Sequence, residues 1–218
     1  MLNPAIFVVL LAVAFYAIFI AYSDFDKLSS NIEQFKFEFL PLILLFSFLG
    51  IIVLGFRQNI LLKTVGIQIS VKENILLYLA GLSMIVTPVG AGQAIKSYYL
   101  KKKFGCSVSK TLPLVLVEKF QDFITLVSIL SFLLIFTQIN EIIILDVIMI
   151  FLIIIIYIAF RIRRIFNKII RIFQNISRLN KFLVSISESY ESLHAMTSAK
   201  TIFKNWFFGI LSWSLEAM

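Results

Sequence analysis

Apolar residues in this chain come in long runs, and short polar stretches separate the runs. Residues 4–22, 39–56, 110–137, 142–160 and 204–218 are the main apolar segments. A transmembrane helix needs about 20 consecutive apolar residues. The first four segments therefore read as spans, and the fifth as the beginning of one. The runs lack the apolar–polar alternation of half-buried strands. The pattern predicts an all-α, polytopic membrane helical bundle occupying 1–218. The apolar run from 204 stops in mid-pattern at Met218, so a C-terminally truncated frame or a fragment is expected.

Residues 73–86 are also apolar, but they are too short to cross a bilayer, and Pro88 stops them. Gly90 and Gly92 allow a tight reversal. Ala91–Leu100 then predicts a second short helix, which runs into Lys101, Lys102 and Lys103. Two half-length helices around a Pro/Gly turn predict a re-entrant hairpin over about 73–100. Residues 57–72 fit neither a span nor a strand and read as a short interfacial segment.

Between 161 and 183, Ile162, Ile165, Phe166, Ile169, Ile172, Phe173, Ile176 and Leu179 recur at helical steps among basic residues. A helix on the membrane surface and a helix packed on the bundle both fit that spacing. Residues 185–199 read as a polar, Ser-rich link.

Composition sharpens this picture. Sixty per cent of the 218 residues are hydrophobic, against about 45–50% in a soluble domain. No length remains for a soluble catalytic or nucleic-acid-binding domain. Neither Lys nor Arg precedes the run at 4–22 and no clear cleavage site follows it, so it reads as an anchor rather than a signal peptide.

The net charge is +8, and 161–204 holds nine Lys or Arg against Glu188 and Glu191. Basic loops mark the cytoplasmic side and can attract anionic lipid headgroups. The expectation is a multi-pass protein of the cell membrane with its N-terminus in the cytoplasm. Acidic turns, including Asn140, Glu141 and Asp146, then face outside. Arg57 reads chiefly as another positive-inside marker. Cys106 and His194 are each the sole residue of their type and read as incidental loop residues. One of each cannot build a conventional zinc site, and no cofactor is expected.

The candidate chemistry lies where polar residues interrupt apolar sequence. Thr87, Pro88, Gly90, Gly92 and Gln93 form the turn, and Lys96 follows it. Glu118, Lys119 and Asp122 interrupt the long span at 110–137. Ionisable groups at membrane depth are costly and mark functional sites by default. A helix starting beyond the turn would aim its N–H groups at an anion such as phosphate. Lys96 suits a lipid phosphate, an ion pair with Glu118 or Asp122, or snorkelling to the interface. Glu118 and Asp122 are four residues apart, so both lie on one face of their helix. They suit a proton, a coupling cation or structural ion pairs. Glu216 interrupts the last apolar run beside Trp213.

These residues resemble the lysylphosphatidylglycerol synthase transmembrane-region family, also called the flippase-like domain family. The likeness rests on Thr87-Pro88-x-x-x-Gly92-Gln93-x-x-Lys96-x-x-x-Leu100 and, after a basic linker, on Glu118-Lys119-x-x-Asp122. Val89 stands for a usual Gly, Gln93 for a usual Glu, and Lys119 where Arg is common. The Gln93 replacement removes a charge from that position. The resemblance covers roughly the first two-thirds of the family domain. It implies a membrane protein that handles lipids. Membrane lipids are then the expected ligands, and a glycosyltransferase or another envelope-synthesis enzyme the expected partner. A lipid flippase-like activity on an anionic phospholipid or lipid-linked sugar is the leading expectation. A membrane-embedded transferase on a lipid-linked sugar and a non-transporting scaffold are the alternatives.

Overall fold

The computed structural model describes residues 36–84, 93, 95–137, 139–174 and 189–217. The chain divides into two compact units, Met1–Leu44 and Leu45–Met218. The described part of the first is a 3-10 turn, Phe37–Phe39, and the opening of helix α1, Leu40–Thr64. The expected span at 4–22 and the expected turn residues Thr87, Pro88, Gly90 and Gly92 lie outside the described residues.

The second unit continues α1 and adds α2 (Val71–Leu82), α3 (Ile95–Phe104), α4 (Val108–Thr111), α5 (Pro113–Thr137), α6 (Asn140–Arg161), α7 (Arg163–Gln174), α8 (Tyr190–Met196) and α9 (Ala199–Glu216). The described residues contain no strand. Among the described residues, three segments are long and apolar enough to cross a membrane: Phe37–Thr64, Val108–Thr137 and Ile142–Arg161. The all-α membrane bundle expected from the runs is the observed fold.

Local chemistry sets the helix ends. α1 stops at Gly66, whose φ of 76° is left-handed and suits a residue without Cβ. Ser70 caps α2, its Oγ accepting from the Glu73 N–H, while Ser70 in turn donates to the Glu73 carboxylate. α3 ends on Gly105, again left-handed with φ 66°. Lys101, Lys102 and Lys103 occupy its last turn, where the helix dipole favours cations. Pro113 opens α5, a position where its missing N–H removes no hydrogen bond. Ser198 caps α9 through the Thr201 N–H.

Some local expectations change. Residues 57–64 are not a separate short segment, because α1 runs unbroken to Thr64. Its Arg57, Gln58 and Asn59 are buried, so their polarity serves the interior rather than a headgroup layer. The expected link 185–199 contains α8, whose Tyr190, Leu193 and Met196 bury one face. His194 therefore sits in a helix, its ring against Tyr190, and not in a loop. The helix that carries the last apolar run begins at Ala199, ahead of the run itself.

The apolar core gathers Leu61 and Leu62 of α1, Leu77 of α2, Leu100 of α3, Leu114 and Val117 of α5, and Leu193 and Met196 of α8. α7 joins it through Phe166, which packs on Tyr190. Its exposed face carries Arg163, Arg164, Lys168 and Arg171. Along α5 and α6 many of the outward residues, among them Phe132, Ile135, Ile144 and Phe151, are large and apolar. That surface matches lipid.

Candidate functional site

Helix α2 presents one face to the centre of the unit through Asn74, Tyr78 and Gly81, all buried. Asn74 anchors that face. Its amide nitrogen donates to the Gly55 carbonyl of α1, and its oxygen accepts from Gln58 Nε2 at 2.8 Å. One turn on, the Tyr78 ring lies 4.6 Å from Lys96 Nζ, at cation–π range. One turn further, Gly81 leaves room for the Lys96 stem: a Cβ there would run into Lys96 Cε. Tyr78 and Gly81 of α2 thus shape a slot for one lysine of α3.

Within the slot Lys96 is only 1% exposed. Its Nζ donates to Glu118 Oε2 of α5 at 2.7 Å. The snorkelling reading of Lys96 is therefore overturned: the ammonium turns into the protein, where a carboxylate and a ring face compensate its lost hydration. Glu118 lies five residues past Pro113, about 8 Å along α5 at ~1.5 Å per residue.

A second pair sits one turn further. Arg57 Nη2 of α1 contacts Asp122 Oδ1 at 2.6 Å. Arg57 is as buried as Lys96, while the Asp122 side chain is part-exposed. Its second oxygen meets exposed Lys119 at 3.3 Å. The sequence treats Arg57 as a side marker; the structure makes it an interior cation. Glu118 and Asp122 share a face as expected, yet each takes its own cation rather than a common ion. Gln93, two residues before α3, is buried.

The pairs do not exhaust the hydrogen-bonding capacity of their members. Arg57 Nε and Nη1, Glu118 Oε1 and Gln58 Oε1 are buried without a hydrogen-bond partner among the described residues. The same holds for Ser97 Oγ and for both polar side-chain atoms of Gln121 and of Asn205. Buried polar groups are normally satisfied. Together with the two ion pairs, these nine unmatched atoms describe a polar interior with capacity for a polar ligand.

Helix α9 closes one side of it. Thr201, Asn205, Gly209, Ser212 and Glu216 recur at helical steps and form one polar or small face. Gly209 meets Thr125 of α5 so closely that a Cβ would strike Thr125 Oγ1. Trp206 Nε1 donates to Ser128 at 3.0 Å, and Ser212 donates to the Gly50 carbonyl of α1 at 3.1 Å. Glu216, read as an isolated interruption, continues this face toward Gly50.

Sequence reasoning missed Arg57, Tyr78, Gln121 and Asn205 as site residues. The signals were the Arg57-Gln58-Asn59 triplet inside an apolar run, the four-residue step from Asn74 to Tyr78, and the three-residue step from Glu118 to Gln121. Asp146 also differs from expectation. It is not in an outside turn but buried within α6, accepting from Ser131 of α5 at 2.8 Å. Among the described residues no group of three or more His, Cys, Asp or Glu is placed to hold a metal ion.

Comparison with curated proteins and with solved structures returned no match. The family model described as Lysylphosphatidylglycerol synthase TM region matches residues 9–218. Nearly the whole chain is matched, and three of its segments suit a bilayer: it is a membrane protein that belongs to this family.

Proposed function

We propose that this protein handles lipids in envelope biosynthesis or transport as a flippase-like protein of the cell membrane. The cluster of Lys96, Glu118, Arg57 and Asp122 receives the anionic headgroup of a phospholipid or lipid-linked sugar. The observation that carries this reading is the buried Lys96–Glu118 pair beside a second pair whose guanidinium is buried, with Arg57 Nε and Nη1 still unmatched. A guanidinium with free N–H donors suits phosphate, which accepts in the same forked geometry.

Lys96 and Glu118 form the floor of the site, and Arg57 supplies the free donors. The hairpin of α2 and α3 is re-entrant in this reading. The large apolar side chains exposed along α5 and α6 keep the acyl or isoprenoid chains in lipid while the headgroup enters the polar interior. A transferase reading finds less support, because the cluster holds its acids in ion pairs rather than free for proton transfer.

Reconstituted liposomes test it. With a quenchable headgroup-labelled anionic phospholipid, and in parallel a lipid-linked sugar, the chain is expected to make inner-leaflet lipid accessible. Lys96→Ala and Glu118→Ala are each expected to reduce that exposure. Unchanged exposure in both correctly folded variants contradicts the assignment.

A further inference from the structure

Gln121 and Asn205 stand apart from both ion pairs, and neither is used in the reading above. Each is almost fully buried, and all four of their polar side-chain atoms lack a hydrogen-bond partner among the described residues. Their placement follows from the α5–α9 crossing. Thr125 and Gly209 touch there. Gln121 precedes Thr125 by one turn on the same face, and Asn205 precedes Gly209 by one turn on its face. The two helices run in the same direction, since Phe120 and Ala199 near their starts line one groove with Ile124 and Ile202. Both amides therefore sit on the same side of the crossing. Glu118, with its free Oε1, is three residues further back on the α5 face.

We infer that Gln121 and Asn205 form a neutral subsite for the hydroxyl-bearing part of a phosphodiester lipid headgroup. The inference rests on the headgroup site above and names what lies beyond its phosphate. An amide offers donors and acceptors without charge. A hydroxyl both donates and accepts, so two amides and one carboxylate oxygen can satisfy a hydroxyl-rich group completely. An alkyl or trimethylammonium group leaves those amides unmatched, at the cost of their desolvation. A hydrogen-bonding pocket therefore rejects a ligand that lacks the matching polar group more strongly than an apolar pocket rejects a misfit. Inositol and sugar headgroups share the chemistry; a diacyl lipid or a polyprenyl carrier can present it.

The test is lipid retention by the purified full chain, quantified by mass spectrometry. Nanodiscs contain phosphatidylcholine with phosphatidylethanol, phosphatidylinositol and a polyprenyl-phosphoryl-hexose. The last three carry the same phosphodiester charge, and phosphatidylethanol lacks hydroxyls. The wild-type chain is expected to enrich a hydroxyl-bearing lipid over phosphatidylethanol by roughly tenfold. Whichever of the two is enriched names the carrier. Gln121→Leu/Asn205→Leu is expected to lose that preference while still retaining anionic phosphodiesters over zwitterionic phosphatidylcholine.

Equal retention of phosphatidylethanol by the wild-type chain, or a preference that survives the double substitution, overturns the subsite and leaves the phosphate site standing. Retention of no anionic phosphodiester above zwitterionic phosphatidylcholine overturns the headgroup site and the subsite with it. The wild-type ranking decides the matter even where a variant folds poorly.

Discussion

Gly81 lies directly against the Lys96 side chain, at a separation no Cβ could share with Lys96 Cε. The glycine is thus part of the lysine's slot and not a helix defect. Gly81→Val should force the Lys96 stem aside and part it from Glu118 Oε2. Overpacking of this kind costs about 1–3 kcal/mol. A lower melting temperature in detergent together with reduced lipid exposure is expected. A Gly81→Val protein with wild-type stability and transport would show that Lys96 does not need the slot.

The Arg57–Asp122 pair should separate from its neighbour Lys119 in effect. Asp122→Asn strands a buried guanidinium, and breaking a buried pair costs about 3 kcal/mol or more. Lys119 is exposed, and a surface pair contributes about 0–1 kcal/mol. Lys119→Gln should therefore unfold within error of the wild type. Chemical or thermal unfolding of both variants checks the ordering, and equal losses would contradict it.

Helix α9 depends on a close approach at Gly209. Gly209→Leu should push α9 from Thr125 and break the Trp206–Ser128 hydrogen bond. Indole fluorescence should shift, because Trp206 loses its polar partner. An unchanged spectrum and unchanged stability would mean that α5 and α9 do not cross at this point.

At the end of the α2–α3 pair, Lys103 meets Glu73 at 2.8 Å outside the spanning helices. The Lys103 ammonium, followed by the Ser70 hydroxyl, holds the Glu73 carboxyl below its ordinary value. Glu73, and then Tyr99, raises Lys103. The Glu73 contribution is present above the ordinary carboxylate range and fades as pH falls through the lowered value. The Lys103 contribution is present below the ordinary lysine range and fades as pH rises through the raised value. The contact is therefore intact across neutral pH, and added salt weakens it. Amide exchange at the start of α2 should quicken in acid, and Glu73→Gln should abolish that acid response.

The runs of apolar residues made α1, α5 and α6 legible, because a bilayer demands length and hydropathy and little else. Glu118 and Asp122 were legible for the same reason: charge inside such a run has few innocent explanations. Arg57 was misread because a cation near the end of an apolar run looks alike whether it faces headgroups or Asp122, and only the third dimension decides. α8 was hidden in a short polar segment whose helix is held by Tyr190, Leu193 and Met196 packing, not by propensity. Asn205 escaped because a lone amide in an apolar run carries no local signal; its meaning comes from Gly209 one turn later, where α5 approaches.

The central claim is that Lys96 and Glu118 serve the headgroup and not merely the fold. Replacing a buried ion pair by apolar residues of similar size is often neutral or stabilising, so Lys96→Met/Glu118→Met separates the two roles. The decisive measurement is lipid exposure by this double variant in liposomes, read beside its melting temperature. Our account predicts a protein at least as stable as the wild type that no longer exposes anionic lipid. A stable double variant with wild-type lipid exposure would contradict it.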